Sequence, residues 1–220
     1  MLLISEIYRA ICGESRFSGV PCVLVRLSGC HVRCTWCDSA HAFNGGRQMR
    51  VDEVVAEVAA HGLATVLVTG GEPLLQPAVV DLMRALLADG RTVLLETSGT
   101  TGPRSLVPLR DVPRGVHRIV DLKAPGSGLA GDVIDWEGIG DLGAGDELKA
   151  VLADRRDYEW ARDLVRAPGR LPAGVAVSFS PVQDGLAPAE LAGWILEDGL
   201  DVRFQLQLHK VVWPGVERGV

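Results

Sequence analysis

The sequence predicts an α/β fold, an incomplete and open (β/α) barrel of about six parallel strands with a reduced set of helices. Three observations predict it. Short apolar, strand-like runs alternate with stretches long enough for a helical crossover, which parallel neighbours require. The connection Ser98 to Gly115 is rich in Pro and Gly, and that from Gly126 to Gly145 lacks a clear helical stripe. Finally, 220 residues fall short of the about 250 that eight full units take.

Taken in order, Leu2 to Ile11 reads as a first extended segment, and the polar turn Cys12-Gly13-Glu14-Ser15 follows it. Pro21 to Leu27 is a β-branched strand that delivers the chain into a cysteine-bearing loop, residues 29–39. Val51, Val54, Val55, Val58 and Ala59 recur at helical spacing and stop at Gly62. Thr65 to Thr69 is a short buried strand; Val79, Val80, Met83, Leu86 and Leu87 form the next helical stripe, and Thr92 to Glu96 the next strand. His117 to Lys123 and Glu147 to Leu152 continue the strands. Asp157 reads as the N-cap of a helix whose apolar face includes Tyr158, Ala161, Leu164 and Val165. Val175 to Phe179, a helix from about Pro188 to Asp198, and a strand Val202 to Leu208 complete the set, ahead of a tail at residues 210–220.

An apolar share of 47% in a chain of this length supports one core and a single domain. The net charge of −6 and the scattered basic residues leave no electrostatic footprint for nucleic acid or a membrane surface. The first residues have no basic region and too short an apolar run for a signal peptide, and no later run reaches membrane-span length, so a cytoplasmic location is expected. Five cysteines, three of them crowded together, fit metal binding in a reducing compartment better than a disulfide framework; Cys22, in an apolar strand, reads as a small buried residue.

The chemistry concentrates in Cys30-His31-Val32-Arg33-Cys34-Thr35-Trp36-Cys37-Asp38. Three thiols spaced C-x-x-x-C-x-x-C are soft ligands close enough to share one centre. Structural zinc closes with four ligands, so a zinc knuckle would draw on His31, His41, Cys12 or Cys22 as well. A four-iron cluster on three cysteines instead leaves one iron open to a ligand, and unligated thiols are a third reading. Farther on, Thr69-Gly70-Gly71-Glu72-Pro73 ends a strand with glycines that let backbone approach a ligand; taken alone it is also an ordinary loop with an exposed Glu72. Working residues of such barrels lie at the C-terminal ends of strands, where both segments fall.

The two motifs together, in this order, resemble the radical S-adenosylmethionine (SAM) enzymes. The resemblance implies that Cys30, Cys34 and Cys37 hold a 4Fe-4S cluster, that the open iron binds SAM, and that the segment at Gly71 binds the SAM amino group. It also implies a 5'-deoxyadenosyl radical that abstracts hydrogen from substrate, with an external one-electron reductant such as flavodoxin. Trp36 then reads as an aromatic wall beside the adenine, or as plain packing.

Further segments run nearly end to end: Glu6-Ile7-Tyr8, Cys12-Gly13-Glu14-Ser15, Phe17 to Cys22, Arg26 to Cys30, Trp36 to Ser39, Glu96 to Gly99, Asp121-Leu122-Lys123, Ser180-Pro181-Val182 and Gln207-Leu208-His209-Lys210. These are similar to the 7-carboxy-7-deazaguanine synthases, which convert 6-carboxy-5,6,7,8-tetrahydropterin to 7-carboxy-7-deazaguanine and ammonia on the way to queuosine and other deazapurines. That likeness implies a homodimer using SAM as a catalytic cofactor together with Mg2+. It implies SAM contacts from Trp36, Cys37, Asp38, Gly71, Glu96, Asp121, Leu122, Lys123, Ser180, Pro181, Val182 and Gln183. Contacts to the pterin substrate are implied for Ile11, Cys12, Gly13, Glu14, Arg26, Thr69 and His209, and a Mg2+ contact for Ser39. Arg26 supplies a fork suited to a carboxylate, and a Ser hydroxyl is a hard donor compatible with Mg2+.

Two departures stand out. Many of those enzymes carry Gln where this chain has Cys12, so only a main-chain contact carries over there. The tail from Val212 to Val220 is longer than in some of them, so a contact from the terminal carboxylate does not carry over. Two competing readings are an activating enzyme of the same superfamily, acting on a glycine of a protein partner, and a zinc-stabilised interaction module without catalysis.

Overall fold

One mixed sheet runs through the computed structural model, which describes residues 1–103, 106–129, 133–216 and 218–219. β1 (Leu2–Ile11) and β2 (Pro21–Leu27) pair antiparallel, because the short link between them cannot make a crossover. β3 (Arg47–Met49), which the sequence did not suggest, pairs antiparallel with the start of β1. From β2 onward every pairing is parallel: β4 (Thr65–Gly70), β5 (Thr92–Thr97), β6 (His117–Leu122), β7 (Glu147–Leu152), β8 (Ala176–Pro181) and the two-residue β9 (Arg203–Phe204). The order across the sheet is β3-β1-β2-β4-β5-β6-β7-β8-β9. β2 and β4 to β8 are the six parallel strands expected.

The helices are α1 (Val51–His61), α2 (Val79–Ala88), α3 (Trp136–Gly140), α4 (Arg155–Arg166), α5 (Pro188–Glu197) and α6 (Leu208–Val212). α1 ends at Gly62, whose φ of 73° is the left-handed conformation of a helix C-cap. Among the described residues the β5–β6 connection holds no α-helix and the β6–β7 connection only the five residues of α3, so helices are indeed fewer than strands. No helix is long and apolar enough to cross a membrane, among the described residues.

Two local expectations are corrected. α4 starts ahead of Asp157: the Asp154 carboxylate caps it, accepting from the Asp157 N–H at 2.9 Å. Asp157 lies in the first turn, fully buried, and accepts from the Gly126 N–H at 2.7 Å and the Ala153 N–H at 3.0 Å. It ties the helix to the β6–β7 connection instead of capping. The Val202 to Leu208 strand shrinks to β9, because the Gln205 side chain binds the backbone of Ser15 and Leu208 already begins α6.

Side chains alternate across the sheet and make two separate cores. On the convex face Val23, Val25, Val66, Val68, Val93 and Leu95 pack under Val54 and Val58 of α1 and Leu82, Met83 and Leu86 of α2. Each such buried side chain stabilises the fold by about 1.5–3 kcal/mol. On the concave face Ala10, Cys12, Cys22, Leu24, Leu67, Leu94 and Ile119 form a smaller apolar plug, with both cysteines buried. The next inward positions are Arg26 on β2, Thr69 on β4, Glu96 on β5, Asp121 on β6 and Lys149 on β7, with Arg26 opposite Thr69 and Asp121 opposite Lys149. An apolar floor thus carries a polar storey directly above it.

The sheet does not close on itself by strand pairing. The chain after β9 instead meets the bend after β1 through the Leu208 N–H bonded to the Gly13 carbonyl at 2.8 Å, and through Gln205 and Gln207 side chains bonded to Ser15 and Glu14.

Candidate active site

A cavity of about 690 Å³ opens above the polar storey, within the range of small-molecule sites. Its walls come from the C-terminal ends of the strands, the cysteine loop and α6.

The cysteine loop is pinned at both ends. The Ser28 N–H bonds to Leu3 and the Gly29 N–H to Ala42 on one side, while Thr35 bonds through its N–H to Ser127 and through Oγ1 to Gly126 on the other. Arg33 donates to the carbonyls of Cys30 (2.9 Å) and Val32 (2.7 Å) and lies over the Phe43 ring. Cys30, Cys34 and Cys37 are all free thiols, half-buried, and all line the cavity. Burial pushes the Cys30 and Cys34 thiols up. Among the described residues no three His, Cys, Asp or Glu side chains gather at the spacing of a single metal ion. Three thiols on one cavity wall are soft donors that would suit an iron-sulfur cluster, whereas structural zinc closes with four ligands.

The glycine segment after β4 lies against this loop. The Glu72 N–H bonds to the Gly29 carbonyl at 2.8 Å, and a Cβ on Gly71 would stand 2.3 Å from that carbonyl and 2.8 Å from Cys30 Cβ. Glycine is therefore required for the two backbones to approach. Glu72, which an ordinary loop would leave exposed, is 1% exposed. Its carboxylate accepts from the Leu74 N–H (3.0 Å), the Thr97 hydroxyl (2.8 Å) and the Ser98 N–H (2.8 Å), which fastens the end of β4 to the end of β5.

Deeper in the cavity charged groups interlock. Lys149 Nζ is ion-paired with Glu14 Oε2 and lies 3.8 Å from Asp121 Oδ2 and 4.0 Å from Glu96 Oε1, while Lys123 Nζ sits 3.0 Å from Asp121 Oδ2. Burial would disfavour the Lys149 ammonium, but the three carboxylates outweigh it and hold its pKa well above the usual lysine value. Burial likewise works against the Glu14 carboxylate, and Lys149 outweighs it, so Glu14 is lowered. Glu96 goes the other way: burial raises it, and the more distant Lys149 does not compensate. Two carboxyls in one cavity are thus shifted in opposite directions.

At the mouth, Arg26 donates from Nε to Glu6 at 3.0 Å and from Nη1 to Ser39 Oγ at 3.1 Å. Ser39 Oγ in turn donates to Asp38 Oδ1 at 3.0 Å, and Lys210 Nζ lies 3.0 Å from Asp38 Oδ2. Against the penalty of its recess, the Lys210 ammonium and the Ser39 hydroxyl hold the Asp38 carboxyl below the usual range. His209 lies 4.0 Å from Asp38, and burial lowers its imidazole. A Cβ on Gly13 would collide with the His209 ring, so the bend after β1 is glycine for close contact.

The cavity gathers most residues singled out in the sequence. Ile11, Gly13, Glu14, Arg26 and Thr69 line it, with His209 from α6. So do Trp36, Cys37, Asp38 and Ser39 of the cysteine loop, and Gly71, Glu96, Asp121, Lys123 and Gln183 from strand ends and the loops beyond. Cys12 is turned into the apolar plug and Leu122 into the convex core. Ser180 and Pro181 are buried, the Ser180 hydroxyl without a hydrogen-bond partner among the described residues, and Val182 is half-buried outside the lining. Tyr8, His41, Lys149, Gln207 and Lys210 line the cavity without having been given a role. Lys149 had one signal: a charge between Leu148 and the apolar run Ala150 to Leu152 of a strand.

Residues 24–120 match the model of the Radical SAM superfamily. A protein of Koribacter versatilis described as a 7-carboxy-7-deazaguanine synthase is 45% identical, over 99% of this chain and 99% of its own length. One of Chlorobaculum tepidum with the same description is 42% identical, over 100% of this chain and 97% of its own. Among solved structures, QueE from Escherichia coli superposes with a TM-score of 0.72 at 22% identity, covering 94% of both chains, a likeness of fold.

Proposed function

The chain belongs to the 7-carboxy-7-deazaguanine synthases of the radical SAM superfamily, and we infer from its cavity how its own residues serve their reaction. The enzyme is a radical SAM lyase that converts 6-carboxy-5,6,7,8-tetrahydropterin to 7-carboxy-7-deazaguanine and ammonia in queuosine biosynthesis. The observation that carries this reading is full-length identity of 45%, together with three free thiols and the Gly71 segment at one cavity mouth. When bound, the cluster and SAM supply one-electron cleavage to a 5'-deoxyadenosyl radical that takes hydrogen from the substrate.

On this reading Cys30, Cys34 and Cys37 hold the cluster. Gly71, Trp36 to Asp38, Glu96, Asp121 to Lys123 and Ser180 to Gln183 hold SAM, with Leu122, Ser180, Pro181 and Val182 acting through the backbone or through the walls behind it. The substrate carboxylate goes to the Arg26 guanidinium, a planar donor already oriented by Glu6. The backbone of Ile11, Cys12 and Gly13, the Glu14 carboxylate, Thr69 and His209 grip the ring. Mg2+ goes to Ser39: its hydroxyl and the neighbouring Asp38 carboxylate are hard oxygen donors, and this ion takes few protein ligands. The working enzyme is a cytoplasmic, single-domain homodimer reduced by an external one-electron donor such as flavodoxin.

Anaerobic incubation of reconstituted protein with SAM, a strong reductant, Mg2+ and the carboxypterin is expected to yield 7-carboxy-7-deazaguanine and ammonia. Protein that cleaves SAM yet forms no deazapurine would sink the substrate assignment. Replacing any one of the three cysteines with alanine is expected to abolish turnover and the broad visible absorption of the cluster. Sedimentation at a mass twice the chain's 23.5 kDa checks the dimer.

A further inference from the structure

Lys149 has no place in the assignments above, although it holds the most connected position in the cavity. It stands on β7, which is paired along both edges, by β6 and by β8. Its neighbours Leu148 and Ala150 face the convex core, and its own side chain, 9% exposed, faces the cavity. A buried ammonium needs compensation, and three carboxylates from three parts of the chain provide it. They are not equal partners. Asp121 has an ammonium of its own in Lys123 at 3.0 Å, and Glu96 at 4.0 Å is beyond hydrogen-bond reach. The close contact goes to Glu14.

Glu14 depends on that contact. It sits on the bend between β1 and β2, outside the strand ladders, and among the described residues two groups fix its carboxylate: Lys149 on Oε2 and the Gln207 amide on Oε1 at 2.9 Å. Each carboxylate oxygen has a second lone pair to offer. We propose that Lys149 is a positioning residue for the substrate, transferring the rigidity of β7 to the Glu14 carboxylate so that its free lone pairs meet the N–H edge of the pterin ring. This rests on the reading that Glu14 touches the carboxypterin.

The test uses the full-length, cluster-loaded enzyme under anaerobic conditions, and reads Kd by calorimetry and KM for the carboxypterin beside Kd for SAM and iron content. K149M is expected to raise KM and Kd for the carboxypterin about tenfold or more, with SAM affinity and iron content within about twofold of wild type, and K149R to recover most of the loss. E14Q and the double variant K149M/E14Q are expected to match K149M, because the pair acts as a unit. The double variant removes both charges together, so it reports even if K149M alone does not fold. A K149M enzyme with unchanged carboxypterin affinity, a parallel loss of SAM affinity and iron, or a double variant about tenfold worse than E14Q would overturn the proposal. Wild-type enzyme that neither binds nor consumes the carboxypterin would overturn the functional reading along with it, and the two failures are thereby distinguished.

Discussion

Among the described glycines, the tightest approach to backbone is at Gly71, where a single added methyl group meets the Gly29 carbonyl and Cys30 Cβ. Nothing there can yield cheaply, since one neighbour is backbone and the other belongs to a pinned loop. Gly71→Ala is expected to destabilise the fold by about 1–3 kcal/mol and to lower cluster retention during reconstitution, read by melting temperature and iron content. At this scale the sequence was most legible where chemistry is local. The cysteine triad is contiguous, and Gly71 and Arg26 lie on or beside strands readable from their apolar pattern. Lys149 was not legible as a site residue, because its meaning lies in acids distant in the chain, at Glu14, Glu96 and Asp121. Between the two readings of Glu72 the sequence could not choose for the same reason: a carboxylate in a loop reads as solvated until the N–H of Ser98 and the hydroxyl of Thr97 are brought to it.

Elements here are joined by buried acids as much as by apolar packing. Asp157 carries the clearest case, bonding α4 to Gly126 in the connection beyond β6 and to Ala153 at the end of β7. Asp157→Ala leaves two half-buried N–H groups without this partner and is expected to cost about 2 kcal/mol, seen as a lower urea midpoint, whereas the cap variant Asp154→Ala is expected to cost about 1 kcal/mol. Either aspartate could have been the cap on sequence grounds, since both precede the apolar stripe of α4. The choice is made by tertiary structure, which buries the second one against a loop that propensity does not see. β3 escaped notice for a related reason: three residues with exposed side chains at Arg47 and Gln48 carry no period, and only the edge of β1 makes them a strand. The parallel strands, by contrast, were readable because both of their faces are covered and the apolar runs are nearly continuous.

For the whole molecule, acid is expected to weaken the fold through identifiable carboxylates. Burial works against the charged Asp146, but the Arg118 guanidinium (3.0 Å from Nε) and the Gly143 N–H (2.8 Å) outweigh it and hold its carboxyl below the ordinary range. A depressed carboxyl contributes stability that is present above its unfolded value of about 4 and is lost as pH falls through the folded value. Urea midpoints are therefore expected to fall between about pH 5 and pH 2, with Asp146→Asn showing a shallower fall across the same window. The overall plan, one sheet with an apolar plug beneath a charged storey, follows from alternation within each strand. The curvature that brings the chain after β9 round to Gly13 does not, because it accumulates from strand twist. Among the described residues that meeting place is a seam stitched by one main-chain bond and two glutamine side chains, where β4 and β5 share strand ladders with their neighbours. Amide exchange at Gly13 to Ser15 and at Leu208 is expected to outpace that of β4 and β5 by orders of magnitude. A ligand touching Glu14 on one lip and His209 on the other would sew the gap shut, so occupancy becomes readable as slowed exchange on both lips at once.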